Sequence, residues 1–180
     1  MTPFDVFSGL LTAAKIRLLV VGGMAVNSHG FTRLTVDVDG LIATDDLETV
    51  AEAFRSAGYS EVTRNHLFAR YYRPDIDPGT VDVLLVNQQT MDKMWPDRIA
   101  TTFRDRELPI PKLEHLFALK LHAIRNDPRR WGQDLRDIHE LMRSNPEVVT
   151  RGKLMELCER FGPPGRVKEI LQFVFGHEQE

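Results

Sequence analysis

Cysteine is nearly absent. Cys158 is the only one in 180 residues, so no disulfide can form within the chain. It sits in "KLMELCERF", where Leu154, Leu157 and Phe161 recur at helical spacing, and the expectation is a buried thiol rather than a nucleophile. Long apolar runs are also missing: none approaches about 18 residues, the length a membrane helix requires. The N-terminal stretch "MTPFDVFSGLLTAAKIRLLVV" has neither a basic leader nor a small-residue cleavage site. These absences predict a soluble, cytoplasmic protein with no membrane segment. Nor is there a large excess of one charge. The 23 Lys and Arg against 26 Asp and Glu leave a formal net charge of −3, which excludes a surface generally attractive to nucleic acid while allowing local basic patches. There is no internal repeat and no low-complexity tract.

What is present is an alternation of short elements. Phe4, Phe7, Leu10, Leu11 and Ala14 recur at helical spacing, and "IRLLVV" (16–21) reads as a buried strand. Gly22 and Gly23 end it, and "MAVNSHG" gives one or two helical turns stopped at Gly30. A second strand is expected at about 35–43, with Val36, Val38 and Leu41 marking it. Thr44 with Asp45, Asp46 and Glu48 then starts a helix carrying Leu47, Val50, Ala51 and Phe54, which stops at Gly58. Strands follow near 60–64 and 67–73, then a turn in "RPDIDPG" and a strand through Asp82. Residues 97–108 fit either a short strand or a hairpin. From Pro111 onward the pattern is helical: "PKLEHLFALKLHAIRN" first, then helices near 132–143, 150–161 and 164–175. The expected architecture is α/β (α+β), with a mixed-sheet core over 1–110 followed by a C-terminal helical bundle over 111–180.

Three aspartates stand out from this pattern: Asp37 and Asp39 in "LTVDVDGLIA", and Asp82 in "TVDVLLVNQQ". Residues two apart in an extended chain share a face, so Asp37 and Asp39 stand side by side. If the Asp82 strand lies alongside, its carboxyl comes within about 5 Å of the pair. Three carboxylates so close repel, and Mg²⁺ is the usual cation that settles such a cluster. The Gly22–Gly23 corner would expose backbone amides beside them, suited to phosphate oxygens. Each residue also has a plainer reading. The aspartate pair would make turn or cap hydrogen bonds at a sheet end, and Asp82 would protect an edge strand. His29 would be a local hydrogen-bonder, and Arg33 would pair with an aspartate instead of a triphosphate. Lys120, flanked by Leu119 and Leu121, either snorkels or serves a site. Asp134 and Asp137 would pair with Arg130 and Arg136 on a solvated helix face. "RNDPRRWGQDLR" offers arginines and Trp131 to an RNA end, or is a charged loop with Trp131 packed into the core. Gly40 weakens its strand locally but leaves room for a ligand to approach.

The run "VVGGMAVNSHGFTRLTVDVDGLI", with Gly-Gly, His29-Gly30, Arg33, Thr35 and Asp37-x-Asp39 in that order and Asp82 later, resembles the nucleotide-binding signature of the DNA polymerase β-like nucleotidyltransferase superfamily. Within it the chain is most similar to the AbiEii/AbiGii-type nucleotidyltransferases, which include toxins of toxin–antitoxin systems. Lys120 and Arg125, five apart, and the acidic Asp134 and Asp137 of "GQDLRDIHEL" extend the likeness, which covers about residues 18–142.

That resemblance implies an enzyme that uses two Mg²⁺ ions and an NTP. Asp37 and Asp39 would hold the metal carrying the triphosphate, and Asp82 would complete a second metal site and help deprotonate the attacking hydroxyl. Gly22, Gly23, Arg33, Lys120 and Arg125 would bind the nucleotide, with Asp134 orienting Lys120 or the acceptor. In-line attack on the α-phosphate would release pyrophosphate and leave NMP on the acceptor. A tRNA 3′ end or a protein side chain ranks above a small molecule as acceptor, and an antitoxin is an expected partner. Gly23 departs from the family pattern, which commonly has serine there, and Ser28 lies too far along to replace it. A catalytically inactive nucleotide-binding or partner-binding module with the same fold is the alternative.

Overall fold

Helix α1 (Pro3–Thr12) is closed at its N-terminus by a capping box. The Thr2 hydroxyl accepts from the Asp5 amide at 3.3 Å, and the Thr2 amide donates to Asp5 Oδ2 at 2.9 Å, so two otherwise orphaned donors satisfy each other's residues. The helix buries Phe4, Val6, Phe7 and Leu10. After it come β1 (Leu18–Val20), α2 (Gly22–Ser28), β2 (Val38–Ala43), α3 (Leu47–Ser56), β3 (Ser60–Arg64), β4 (Phe68–Tyr72) and β5 (Thr80–Val86). Helix α4 (Gln88–Met94) and a hairpin of β6 (Ile99–Phe103) and β7 (Arg106–Ile110) complete this part, and α5 (Leu113–Asn126), α6 (Trp131–Ser144), α7 (Arg151–Phe161) and α8 (Val167–Phe175) form the rest. The structure is a computed structural model describing residues 1–77 and 79–176. Pro78 of the expected "RPDIDPG" turn and residues 177–180 of the expected helical region lie outside the described residues.

The chain divides into two compact units, residues 1–25 with 33–112, and residues 26–32 with the chain from Leu113 onward. In the first, five strands among the described residues form a mixed sheet in the order β1-β2-β5-β4-β3. β2 and β5 are parallel, and the other neighbouring pairs are antiparallel. One face is apolar. Its rows run Val38–Val81–Tyr71 and Gly40–Val83–Ala69 across β2, β5 and β4, all buried. Phe54 of α3 stacks on Tyr71 at 4.7 Å between ring centroids and meets the Phe7 ring edge-on at 5.9 Å. Such aromatic pairs add to the stabilisation from area burial alone. In the second unit Leu116, Phe117 and Leu121 of α5, Leu135, Ile138 and Leu141 of α6, Leu154 of α7 and Ile170 of α8 are buried. Cys158 is buried there too, and burial pushes its thiol up to about 12, so it stays protonated and inert. No helix among the described residues is long and apolar enough to cross a membrane.

Several expectations need correction. The strand expected from residue 35 starts at Val38, and Val36 is 66 % exposed rather than part of the packed strand. Gly40 makes room for protein, not ligand. A Cβ there would lie 2.8 Å from Phe7 Cζ, so the glycine admits the α1 ring against the sheet. Asp82 is not an edge-strand device, because β5 is the middle strand of the five. The ambiguous 97–108 segment is the β6–β7 hairpin, and α4 is a helix that the sequence pattern did not suggest.

Candidate active site

The register of the sheet decides where the carboxylates meet. Asp39 on β2 and Asp82 on β5 are direct partners, and Asp82 is in turn the partner of Arg70 on β4. Paired residues on adjacent strands project to the same face. Asp39, Asp82 and Arg70 therefore form one row across three strands, on the face opposite Tyr71 and Phe54. Asp37 precedes β2 by one residue and is part-buried, like Thr35 and Arg33 before it, while Leu34 and Val36 between them are exposed. The alternation keeps Arg33, Thr35, Asp37 and Asp39 in one period-two series.

The Gly22–Gly23 corner is built against this series. The Val21 amide donates to the Asp39 carbonyl at 2.9 Å, which carries the β1–β2 ladder up to the corner. Gly22 then turns with φ +60°, and a Cβ on it would lie 1.7 Å from Asp39 Oδ2. Only glycine lets the backbone come so close to that carboxylate while adopting the left-handed region. A Cβ on Gly23 would lie 2.5 Å from Thr35 Oγ1 and 3.3 Å from Arg33 Nη1. Arg33 also donates from Nη1 to the Leu34 carbonyl at 3.3 Å.

Asp82 is engaged in a two-point ion pair. Arg70 donates Nε to Oδ1 and Nη2 to Oδ2, both at 2.7 Å. The side chains are 44 % and 16 % exposed respectively, so the carboxyl is held in the sheet while the guanidinium reaches it from solvent. The hydrogen bond to Asp82, with the charges of Asp82, Asp37 and Asp39, raises the Arg70 pKa above its ordinary value. One cation thus feels all three aspartates. Among the described residues no three carboxylate, imidazole or thiolate side chains are gathered around a common metal position. The donors present are all hard carboxylate oxygens, the set that suits Mg²⁺, with those of Asp82 already committed to Arg70.

The remaining expected residues lie in the helical unit. Lys120 is 4 % exposed and does not snorkel. Its Nζ donates to Asp134 Oδ1 at 2.8 Å and to Asp137 Oδ2 at 2.6 Å, and Arg130 Nε donates to Asp134 Oδ2 at 2.7 Å. Asp134 and Asp137 are fully buried rather than on a solvated helix face, because a lysine from α5 compensates them. Arg125 is exposed in the last turn of α5. Trp131 is half-buried instead of packed into the core, with the Arg166 guanidinium 3.9 Å above its ring. The His29 carbonyl accepts from Asn145 Nδ2 at 2.9 Å. Sequence reasoning missed Arg70 altogether; the signal was its place in a strand that only the hairpin register sets opposite Asp82.

A family profile described as "Nucleotidyl transferase AbiEii toxin, Type IV TA system" matches residues 10–168. The chain belongs to the AbiEii nucleotidyltransferase family. It is accordingly a nucleotidyltransferase, with the mixed-sheet fold expected of the superfamily. Solved structures share this AbiEii fold at low identity. A nucleotidyltransferase-like antigenic protein of Paracoccidioides brasiliensis is 19% identical, with TM-score 0.55 over 94% of this chain and 91% of that one. ANT(2")-Ia in complex with adenylyl-2"-tobramycin is 11% identical, with TM-score 0.64 over 87% and 93%. The lincosamide antibiotic adenylyltransferase LnuA, lincomycin-bound, is 18% identical, with TM-score 0.53 over 78% and 96%. No curated protein sequence matches the chain.

Proposed function

We propose that this AbiEii-family protein moves NMP from an NTP to a hydroxyl of its acceptor with Mg²⁺, using Asp37, Asp39 and Asp82 as the metal-binding carboxylates. The observation that carries the reading is the same-face register of Asp39 and Asp82 beside Gly22. The donor set fits a divalent ion, since all three residues offer carboxylate oxygens. When bound, such ions neutralise the triphosphate and acidify the attacking hydroxyl. The chain itself does the positioning. Gly22 and Gly23 let the backbone approach the nucleotide's phosphates, and Arg33 contributes charge beside them. Asp82 takes up the proton of the attacking hydroxyl. On the family resemblance, Lys120 and Arg125 bind the nucleotide; the 2.8 Å bond from Lys120 to Asp134 supports an orienting role for Asp134.

The family resemblance favours a tRNA 3′ end or a protein side chain as acceptor, and the toxin family favours an antitoxin partner. An NTP substrate favours a cytoplasmic setting. The test is incubation with each labelled NTP, Mg²⁺ and total tRNA or cell lysate, followed by a search for label on any macromolecule. Asp39→Ala and Asp82→Ala are expected to reduce transfer on the order of 10²–10³-fold, the loss typical of a preorganised charge at the reacting centre, with cooperative melting retained. NTP binding without transfer to any macromolecule would favour the inactive nucleotide-binding module instead.

A further inference from the structure

Arg70 has no place in the roles described so far, yet it engages both oxygens of the third carboxylate. Both Asp82 oxygens accept from it at 2.7 Å, so a hard cation binding these oxygens meets a positive charge already seated on them. A guanidinium fork matches a carboxylate at two points and keeps its charge at any accessible pH. Its position is suited to leaving: Arg70 lies on the solvent side, 44 % exposed, while Asp82 is fixed in the middle strand. Phe68, two residues earlier on the same face of β4, has its ring centroid 5.8 Å from the Arg70 guanidinium, close enough for a weak cation–π contact.

We propose that Arg70 is the resident counterion of the aspartate row: it neutralises Asp82 in the metal-free protein, and a divalent cation binds by displacing it. This rests on the metal-binding reading of Asp37, Asp39 and Asp82. The consequence follows from mass action. A cation that needs the Arg70-released state binds with an affinity lowered by the fraction of molecules in that state. Arg70 thereby sets the metal concentration at which the site fills and protects the unfilled row from its own repulsion.

The test uses metal alone, without nucleotide. Free Mn²⁺ is titrated by electron paramagnetic resonance against the wild-type protein, Arg70→Gln, Arg70→Lys, Asp82→Asn and the Arg70→Gln/Asp82→Asn double variant. Melting temperatures are read with and without Mg²⁺. Arg70→Gln is expected to bind Mn²⁺ about tenfold more tightly, the scale of one charged two-point contact. It should melt lower without metal and gain more from Mg²⁺ than the wild type does. Arg70→Lys, which keeps the charge and loses the fork, should fall between them and stands in if Arg70→Gln does not fold. With Asp82 replaced, the effect of Arg70→Gln should vanish. Equal or weaker Mn²⁺ binding by both Arg70 variants overturns the counterion role and leaves the metal site standing. Absence of Mn²⁺ binding in the wild type and all Arg70 variants overturns both.

Discussion

Gly22 and Gly23 look alike in sequence and are kept small for different reasons. At Gly22 the constraint is twofold: φ is +60°, and a Cβ would fall 1.7 Å from Asp39 Oδ2. Gly22→Ala must strain the backbone and push away the carboxylate, at a conformational cost of about 1–2 kcal/mol. Transfer should fall on the order of 10²-fold as Asp39 leaves its place. Urea melts and transfer assays on the same preparation check both, and full activity in Gly22→Ala would show that Asp39 need not stand against the corner. At Gly23 the neighbour is Thr35, whose hydroxyl oxygen would lie 2.5 Å from any Cβ. The doubled glycine and the aspartate pair were legible because their residue types are unusual at a strand end. Arg70 was not, since an arginine in a half-exposed strand resembles any surface residue until the register sets it opposite Asp82.

Helix α1 was legible from its apolar periodicity alone, and a capping box closes it. Its capping residue Asp5 also receives Arg106 Nε from β7 at 3.0 Å. The Thr2 backbone amide first, then Arg106 and the Thr2 hydroxyl, lower the Asp5 pKa from 3.8 to about 2. The folded value lies below the unfolded one, so the stabilisation is complete above about 3.8 and disappears as pH falls through about 2. Asp5→Asn should lower the melting temperature at neutral pH, and the gap from the wild type should close across that acid window. A gap independent of pH would mean that the carboxylate charge is not what closes α1. Periodicity failed for α4. "QQTMDKM" buries only Met91 and Met94, too few apolar positions to betray a helix, and its one local sign is Asn87, whose side chain accepts from the Thr90 amide. Thr44 was read as a helix start, but its hydroxyl donates to the Val86 carbonyl at 3.1 Å, and a 3₁₀ turn intervenes before α3. A local cap signal was overridden by a contact 42 residues away.

Across the whole chain, the order of sheet and helical segments was legible from hydrophobic patterning, while the interior of the helical unit was not. Asp134 and Asp137 with Arg130 and Arg136 carry the charge pattern of a wetted helix face. Sequence reports which charges are near along one helix, but the ion that buries these two comes from α5. Lys120 holds both carboxylates at 0 % and 1 % exposure. Its removal would take from both buried carboxylates the cation they share. Lys120→Met keeps the length and apolar stem of the side chain and deletes the charge, so its effect isolates the ion pairs. It should destabilise the helical unit by about 3–5 kcal/mol, the usual range for breaking a buried ion pair by removing one partner. The two tryptophans allow the loss to be located, because Trp131 lies in the helical unit and Trp95 in the sheet unit. In a Trp95→Phe background, a urea titration followed by Trp131 fluorescence reads the helical unit alone. A loss below about 1 kcal/mol there would place Lys120 outside the structural core; it would also leave nucleotide contact as the reason for a lysine at that position.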